Sequence, residues 1–237
     1  MKDVVVFNGL NSLDFKDIRN NVMRIPEVCA RLRSAQEIWD QVGEQEFSFQ
    51  GFLGAEDELF LSSIQLKSLV AAIVQVGLFD RYEKKFGRPE FLVGSIKEES
   101  PLRVCAGQVH FEDMVLNSQA VRPSLKNLLP LQHSNEVILS GISLNEFGVL
   151  RQLSGAQTSY ENLECDKLDL HKVIIELIDK YGAKKFINIG PGHILMNPFR
   201  CDLALRDVQV LESIEVDPML SWFWSELSAH EPTAVAQ

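Results

Sequence analysis

The first residue of this chain that could do chemistry is a serine in a predicted tight turn. Ser95 and Gly94 directly follow the apolar run at residues 91–93, which predicts a buried strand, and a helix is predicted from about residue 98 to residue 106. A serine between a strand and a helix is exposed, and backbone N–H groups at the helix N-terminus can hold the oxygen of an acyl ester formed on it. Such a turn would suit Ser95 as a nucleophile.

A serine nucleophile needs a general base, and histidine is the usual one. His133, in the segment Leu129-Pro130-Leu131-Gln132-His133-Ser134, is the candidate base. His193 is an alternative, because it follows Gly190-Pro191-Gly192, whose backbone could face a ligand. Both also fit ordinary histidines of loops and helix caps, so the sequence leaves the identity of the base open.

The elements that must position these residues alternate between strand and helix. Strands are predicted at residues 4–7, 91–93, 137–139, 186–189 and 208–214. Helices are predicted at residues 14–41 with an interruption at Pro26, and at 61–86, 98–106, 111–129 and 168–181, with a polar loop at 45–54. A terminal helix is predicted around Trp222, Phe223 and Trp224. This alternation predicts an α/β fold with a largely parallel sheet, in a single domain over residues 1–230 and a disordered tail at 231–237.

Composition narrows the classes of partner. The chain has 237 residues, a net charge of −10 and 46% hydrophobic residues, which is typical of a globular protein with a sizeable core. An acidic chain without a basic stripe is not expected to bind nucleic acid. No apolar run approaches the roughly 20 residues that span a bilayer, so no membrane partner is expected.

The four cysteines favour a cytoplasmic protein with reduced thiols. Cys29, Cys105, Cys165 and Cys201 are scattered and form no Cys-x-x-Cys pair. No metal-ligand spacing is present, and we expect neither a metal nor a cofactor. The first seven residues predict a strand rather than a signal peptide, which again favours the cytoplasm.

Four segments of this chain, at residues 6–12, 54–65, 93–98 and 186–192, resemble in this order landmarks of malonyl-CoA:acyl carrier protein transacylases and the acyltransferase domains of polyketide synthases. Val6-Phe7-Asn8-Gly9-Leu10-Asn11-Ser12 resembles Phe-Pro-Gly-Gln-Gly-Ser-Gln. Gly54-Ala55-Glu56-Asp57-Glu58-Leu59, followed by Ile64-Gln65, resembles the entry to the long helix of the family. Val93-Gly94-Ser95-Ile96-Lys97-Glu98 resembles the nucleophile motif Gly-His-Ser-x-Gly-Glu. Phe186-Ile187-Asn188-Ile189-Gly190-Pro191-Gly192 resembles the closing Glu-Val-Gly-Pro-Gly, and the resemblance covers about residues 1–115 and 168–200.

The resemblance implies an acyltransferase core, similar to that of α/β-hydrolases. The family inserts a small ferredoxin-like subdomain between the helix after the nucleophile and the closing strand. Here only about fifty residues separate Leu116 from Leu168, so we expect that subdomain to be reduced or missing. The resemblance also implies binding positions at Gly9, Leu10, Gln65, Gly94, Arg122, Gly190, Gly192 and His193.

The chain departs from the family at several of its functional positions. Leu10 stands where the family has an oxyanion-hole glutamine, and Gly94 where it has the histidine before the nucleophile. The arginine that would pair with a malonyl carboxylate matches Val121, and Arg122 is one position further along the helix. One residue turns a helical side chain by about 100°, so Arg122 is expected to point elsewhere.

The nucleophile position has two alignments. Matching residues 93–98 to the motif keeps Ser95 as nucleophile and needs a one-residue insertion before Val104. A match without a gap places Ile96 there, which abolishes nucleophilic chemistry. The first alignment also matches Glu98, Ser100 and Leu102, which favours Ser95.

Two functions follow from the resemblance. The first is a degenerate, non-catalytic acyltransferase homologue that binds an acyl carrier protein or a partner enzyme in fatty-acid or polyketide biosynthesis. The alternative is an active Ser95-dependent acyltransferase, or acyl-thioester hydrolase, with His133 or His193 as base and acyl-CoA as substrate. An acidic carrier protein would need a local basic patch such as Lys84, Lys85 and Arg88. Missing cleft walls would expose apolar surface, so a homodimer or a hetero-complex is expected.

Overall fold

The computed structural model describes residues 3–7, 13–42, 46–93, 100–118, 149–152, 158–160, 170–189 and 203–212. The predicted strand at 137–139, the second half of the predicted helix at 111–129, the aromatic terminal helix and the tail at 231–237 lie outside these residues. Among the described helices, none combines the length and the apolar character needed to cross a membrane.

Helices and strands follow one another in the order expected of an α/β fold. In chain order they are β1 (Asp3–Val6), α1 (Lys16–Val22), α2 (Pro26–Val42), α3 (Phe49–Leu53), α4 (Asp57–Leu61), α5 (Ile64–Phe86), β2 (Phe91–Val93), α6 (Ser100–Cys105), α7 (Phe111–Leu116), β3 (Val149–Gln152), β4 (Thr158–Tyr160), α8 (Leu170–Tyr181), β5 (Lys185–Asn188) and β6 (Gln209–Glu212).

The described strands form one six-stranded sheet in the order β4-β3-β2-β1-β5-β6. The four strands β2, β1, β5 and β6 are parallel, with Val5 paired to Leu92 on one side and to Ile187 on the other. Strand β3 runs antiparallel to β2, and β4 runs antiparallel to β3. The predicted α/β fold with a mostly parallel sheet is therefore confirmed.

Alternate residues of the strands supply two cores, one on each face of the sheet. Val5, Leu92 and Ile187 pack against the helices α1 to α7. The residues between them on the strands face the other way, toward Ile174 and Leu177 of α8. A period of two in fully buried strands places apolar side chains on both faces, which is typical of a parallel sheet covered by helices.

Helix α5 is the longest described element, and it packs closely against α2. Ser63 caps its first turn by accepting from Leu66 N at 3.4 Å, and Gly87 ends it with a φ of 77°. At Gly77 a Cβ atom would lie 2.7 Å from the Cα of Val28. The two helix backbones can approach this closely only because position 77 carries no side chain.

Three predictions about elements require correction. The predicted polar loop at 45–54 contains α3, because Ser48 caps a short helix by accepting from Gly51 N at 3.1 Å. The predicted helix at 61–86 is divided, with α4 ending at Leu61 and α5 beginning at Ile64. Strands β3 and β4 were not predicted.

Candidate functional site

The carboxyl ends of β2, β1 and β5 lie side by side; we call this the carboxyl edge of the sheet. Phe7 N donates to Val93 O at 2.8 Å, and Ile189 N donates to Val6 O at 2.9 Å, so the pairing continues to the last described residue of each strand. The chain moves from β1 to β2 on one side and later places β5 on the other side. In open α/β sheets such a reversal of strand order forms a crevice where ligands bind.

The candidate residues from the sequence follow these strand ends directly. Gly9 and Leu10 come after β1, Gly94 and Ser95 after β2, and the segment with Gly190, Gly192 and His193 after β5. All of them lie outside the described residues, as do His133 and Arg122. Adjacent strands are about 4.8 Å apart, so these three segments leave the sheet from neighbouring positions.

Gln65 is the candidate that the structure describes. It lies exposed in the first turn of α5. Two residues further on, Lys67 is buried and its Nζ pairs with Asp14 Oδ1. Because Asp14 comes shortly after the segment that follows β1, this pair holds the start of α5 beside the end of that segment.

Arg19 is a fully buried arginine that was not predicted to be a functional or structural residue. Its Nε donates to Leu53 O at 2.9 Å, and its Nη1 donates to Leu13 O at 2.8 Å and to Asp14 O at 2.9 Å. Its Nη2 donates to Ala55 O and to Asp57 Oδ1, both at 2.8 Å. The guanidinium also lies 4.2 Å from the centre of the Phe60 ring. The pattern around Arg19 is that of an ordinary surface position in a short helix, and no sequence signal marks its burial.

This arginine fixes one end of the segment that carries Gly9 and Leu10. Phe7, before that segment, is held by its hydrogen bond to Val93 O. Leu13, after the segment, is held by Arg19. The described residues on both sides of positions 8–12 are therefore each held by a hydrogen bond.

A strand and a helix flank residues 94–99, the segment that contains Ser95. Strand β2 ends at Val93, and α6 begins at Ser100. Leu102 and Cys105 of α6 belong to the same core as Leu92 of β2, so the helix packs on that face of the sheet. Whether Ser95 or Ile96 occupies the tip of the turn stays a prediction, because residues 94–99 are outside the described part of the chain.

Opposite the carboxyl edge, the first residues of β1, β2 and β5 form the amino edge of the sheet. Tyr82 of α5 donates to Asp3 Oδ2 at 3.3 Å, and Lys185 Nζ lies 3.5 Å from the same oxygen. Burial, together with the Asp3 carboxylate, raises the pKa of the Tyr82 phenol far above its usual value. The phenol therefore stays protonated and acts as a structural hydrogen-bond donor at this edge.

The expected basic patch lies near the amino edge. Lys84 and Lys85 end α5, Arg88 precedes β2, and all three are exposed. Lys84 Nζ is 3.2 Å from Glu27 Oε1, and Arg88 Nε is 3.2 Å from Glu83 Oε1. The patch therefore keeps a reduced positive charge, and it lies across the sheet from the carboxyl edge.

Comparison with known proteins does not place the chain in a family: no family model, no curated protein and no solved structure matches it. Within the described ranges, no group of three or more histidine, cysteine or acidic side chains is arranged to hold a metal ion. The described geometry thus supports a ligand crevice at the carboxyl edge, and chemistry there depends on the segments after β1, β2 and β5.

Proposed function

We propose that this chain is a degenerate, non-catalytic acyltransferase homologue that acts as a binding or scaffold component in fatty-acid or polyketide biosynthesis. The observation that carries the proposal is the adjacency of β2, β1 and β5 at the carboxyl edge. The segments that resemble the oxyanion loop, the nucleophile turn and the closing loop of the acyltransferases leave the sheet from these neighbouring strand ends. A nucleophile and its oxyanion donors must lie close together, and neighbouring strand ends allow this.

The proposed loss of catalysis rests on which residues stand at those positions. Leu10 replaces a glutamine and has no donor for an oxyanion, and Gly94 replaces a histidine. Val121 replaces the carboxylate-binding arginine. Members of a catalytic unit act together, and removal of any one of them is severe. This chain differs from the family at several of these positions. Its folded core would therefore serve binding rather than catalysis.

The position of the basic patch supports a scaffold role. An acyl carrier protein docked on Lys84, Lys85 and Arg88 would sit near the amino edge, with the sheet between it and the crevice. That arrangement suits tethering of the carrier rather than delivery of its acyl group to Ser95. The electrostatic attraction of an acidic carrier to this patch would raise the association rate and fall with salt.

Binding to the acyl carrier proteins of the source organism tests this proposal. Immobilised carrier protein should bind the full chain saturably, with an affinity that falls several-fold between low and physiological salt. Lys85→Glu should weaken binding about fivefold, as expected for about 1 kcal/mol of interfacial electrostatics. Arg33→Glu is the matched control, because Arg33 is exposed on α2 and outside the patch. Absence of binding, or equal loss in both variants, would refute the docking part of the proposal.

One observation favours the active alternative. Strand β2 and helix α6 flank residues 94–99, and a nucleophile turn is expected between a strand and a helix. In this alternative Ser95 is acylated by an acyl-CoA and His133 or His193 serves as base. A histidine nitrogen within about 3 Å of Ser95 Oγ in an experimental structure would support it.

A further inference from the structure

Helix α4 presents acidic and apolar side chains to solvent side by side. Its buried residue is Phe60. Each residue turns a helix by about 100°, so Glu58 points away from the core, with Leu59 on one side of it and Leu61 on the other. The two leucines are 60% and 47% exposed, and Glu56, which precedes the helix, is exposed as well. We call Glu56, Glu58, Leu59 and Leu61 the acidic patch.

The end of α5 carries the opposite combination. Phe86 is the last residue of the helix and is 46% exposed, although its ring lies on that of Tyr82 with 5.3 Å between the ring centres. Its neighbours along the chain are the three exposed cations of the basic patch, Lys84, Lys85 and Arg88. An exposed apolar side chain therefore stands beside cations here, as it stands beside carboxylates in the acidic patch.

The exposed charges of each patch have one sign, because their ion-pair partners are less exposed. These partners are Lys16 for Glu56, Glu27 for Lys84 and Glu83 for Arg88, and each is half-buried. Glu58 makes no ion pair inside the ranges that the structure describes. The acidic patch thus shows negative charge to solvent and the basic patch shows positive charge, so the two patches are complementary.

The two patches lie at opposite ends of the longest helix. Helix α4 ends just before the start of α5, and the basic patch lies at the end of α5. The 23 residues of α5 rise about 1.5 Å each, which separates its ends by roughly 34 Å. The patches of one chain therefore cannot reach each other, and their complementarity can act only between copies.

We propose that the acidic patch of one copy binds the basic patch of a second copy, so that the chain associates head to tail. Contact between two acidic patches, or between two basic patches, would set like charges against each other and is disfavoured. The head-to-tail contact sets carboxylates against cations and removes Leu59, Leu61 and Phe86 from water. Each copy then keeps one unused patch, so association continues into a ring or a filament.

This contact is separate from the docking of a carrier protein. An acyl carrier protein on Lys84, Lys85 and Arg88 would compete with the second copy for the same cations. Self-association needs no carrier protein, however, and its test contains none. Failure of one therefore leaves the other standing.

Sedimentation equilibrium of the full chain alone tests the proposal. The average mass should rise above that of the monomer as the protein concentration increases, and it should rise less at high salt, because salt screens exposed charges. Glu58→Lys and Lys85→Glu should each weaken self-association about tenfold. Leu59→Ser should also weaken it, because it removes apolar surface from the contact.

Matched controls carry the same change of charge outside both patches. Glu37→Lys and Arg33→Glu alter exposed residues of α2 and should leave self-association unchanged. All the substituted residues are exposed, so every variant should melt within about 2 °C of the wild type. Unchanged melting attributes a loss of association to the patch rather than to unfolding.

An equimolar mixture of Glu58→Lys and Lys85→Glu identifies the pairing. The first variant keeps the basic patch and the second keeps the acidic patch, so the mixture should form a dimer of one copy of each. Their altered patches carry mixed charge, so association should stop at two chains. A mixture that associates no more than the separate variants would overturn the head-to-tail pairing. A wild type that stays monomeric at every concentration at low salt, or controls that lose association equally, would overturn the proposal as a whole.

Discussion

Replacement of the buried Arg19 should strongly destabilise the fold. Arg19 joins four parts of the chain through its guanidinium: Leu13 and Asp14, Leu53, Ala55 and Asp57. We expect Arg19→Met to destabilise the protein by about 4 kcal/mol.

The magnitude follows from which partners lose their bond. The carbonyls of Leu53 and Leu13 accept buried hydrogen bonds, and each unsatisfied buried acceptor costs about 1–3 kcal/mol. The three half-buried bonds can be replaced by water and contribute less. Loss of the contact with Phe60 adds up to about 2 kcal/mol, as for a desolvated cation–π pair. Methionine offsets part of this, because it avoids the desolvation of the guanidinium.

Thermal and urea unfolding of the variants measure this effect. For a chain of this length about 4 kcal/mol corresponds to a fall in Tm of roughly 8–16 °C. Arg33→Met is the control, because Arg33 is exposed and its single hydrogen bond to Cys29 O spans 3.4 Å, so a change within about 0.5 kcal/mol is expected. An Arg19→Met variant that melts within about 2 °C of the wild type would refute the reasoning.

Three further predictions concern helix packing, pH and cysteine reactivity. Gly77→Ala should lower the free energy of unfolding in urea by about 1–3 kcal/mol, because the new methyl group meets the Val28 backbone. Gly54→Ala should be nearly neutral, because the nearest atom to its methyl group is 3.5 Å away. Equal stability of the two variants would contradict the close packing of α5 against α2 at Gly77. The pKa of Glu27 is lowered: burial acts to raise it, but a backbone hydrogen bond and the cations Lys84 and Arg81 outweigh burial. Because the folded-state pKa of Glu27 is lowered, its carboxylate stabilises the fold at pH values above the unfolded-state pKa near 4.5, and this stabilisation is lost as pH falls through the folded-state pKa. The difference in unfolding free energy between wild type and Glu27→Gln should therefore shrink on acidification below pH 4.5. A difference that stays constant with pH would contradict this prediction. Burial, aided by Asp80, raises the pKa of the Cys105 thiol, so peptide mapping after iodoacetamide treatment should find Cys105 unmodified in the native protein and modified in urea; equal labelling in both states would contradict its burial.

Hydrophobic periodicity predicted the elements whose burial pattern is regular. Helix α8 was expected at residues 168–181 with an inward apolar stripe, and Ile174 and Leu177 are indeed fully buried. The short apolar runs of β1, β2 and β5 were expected as strands because strands buried on both faces are continuously apolar. These elements can be predicted from local hydrophobic patterns, with only the assumption that the protein has a buried core.

The missed elements depend on contacts between distant residues. Gly51 and Gly54 favoured a loop, but Phe49 and Phe52 are buried, and Phe49 packs edge-on against Trp39 at 5.6 Å between ring centres. Strands β3 and β4 are only four and three residues long and pair at one side of the sheet. Their local patterns are too short to separate a strand from a loop.

For the site, the candidate residues could be named from the sequence, but the order of the strands that carry them could not. That Gly9, Gly94 and Gly190 follow strands could be inferred from the chain alone. The adjacency of β5 to β1 could not, because strand order depends on long-range pairing. The buried states of Arg19 and Arg103 also escaped prediction, since arginine is mostly found on surfaces.

The mass of the intact protein after incubation with malonyl-CoA and acetyl-CoA, with Ser95→Ala alongside, tests the central claim most directly. A non-catalytic homologue should keep the unmodified mass in both the wild type and the variant. A gain of one acyl group in the wild type that is absent from Ser95→Ala would contradict this account and establish Ser95 as a working nucleophile.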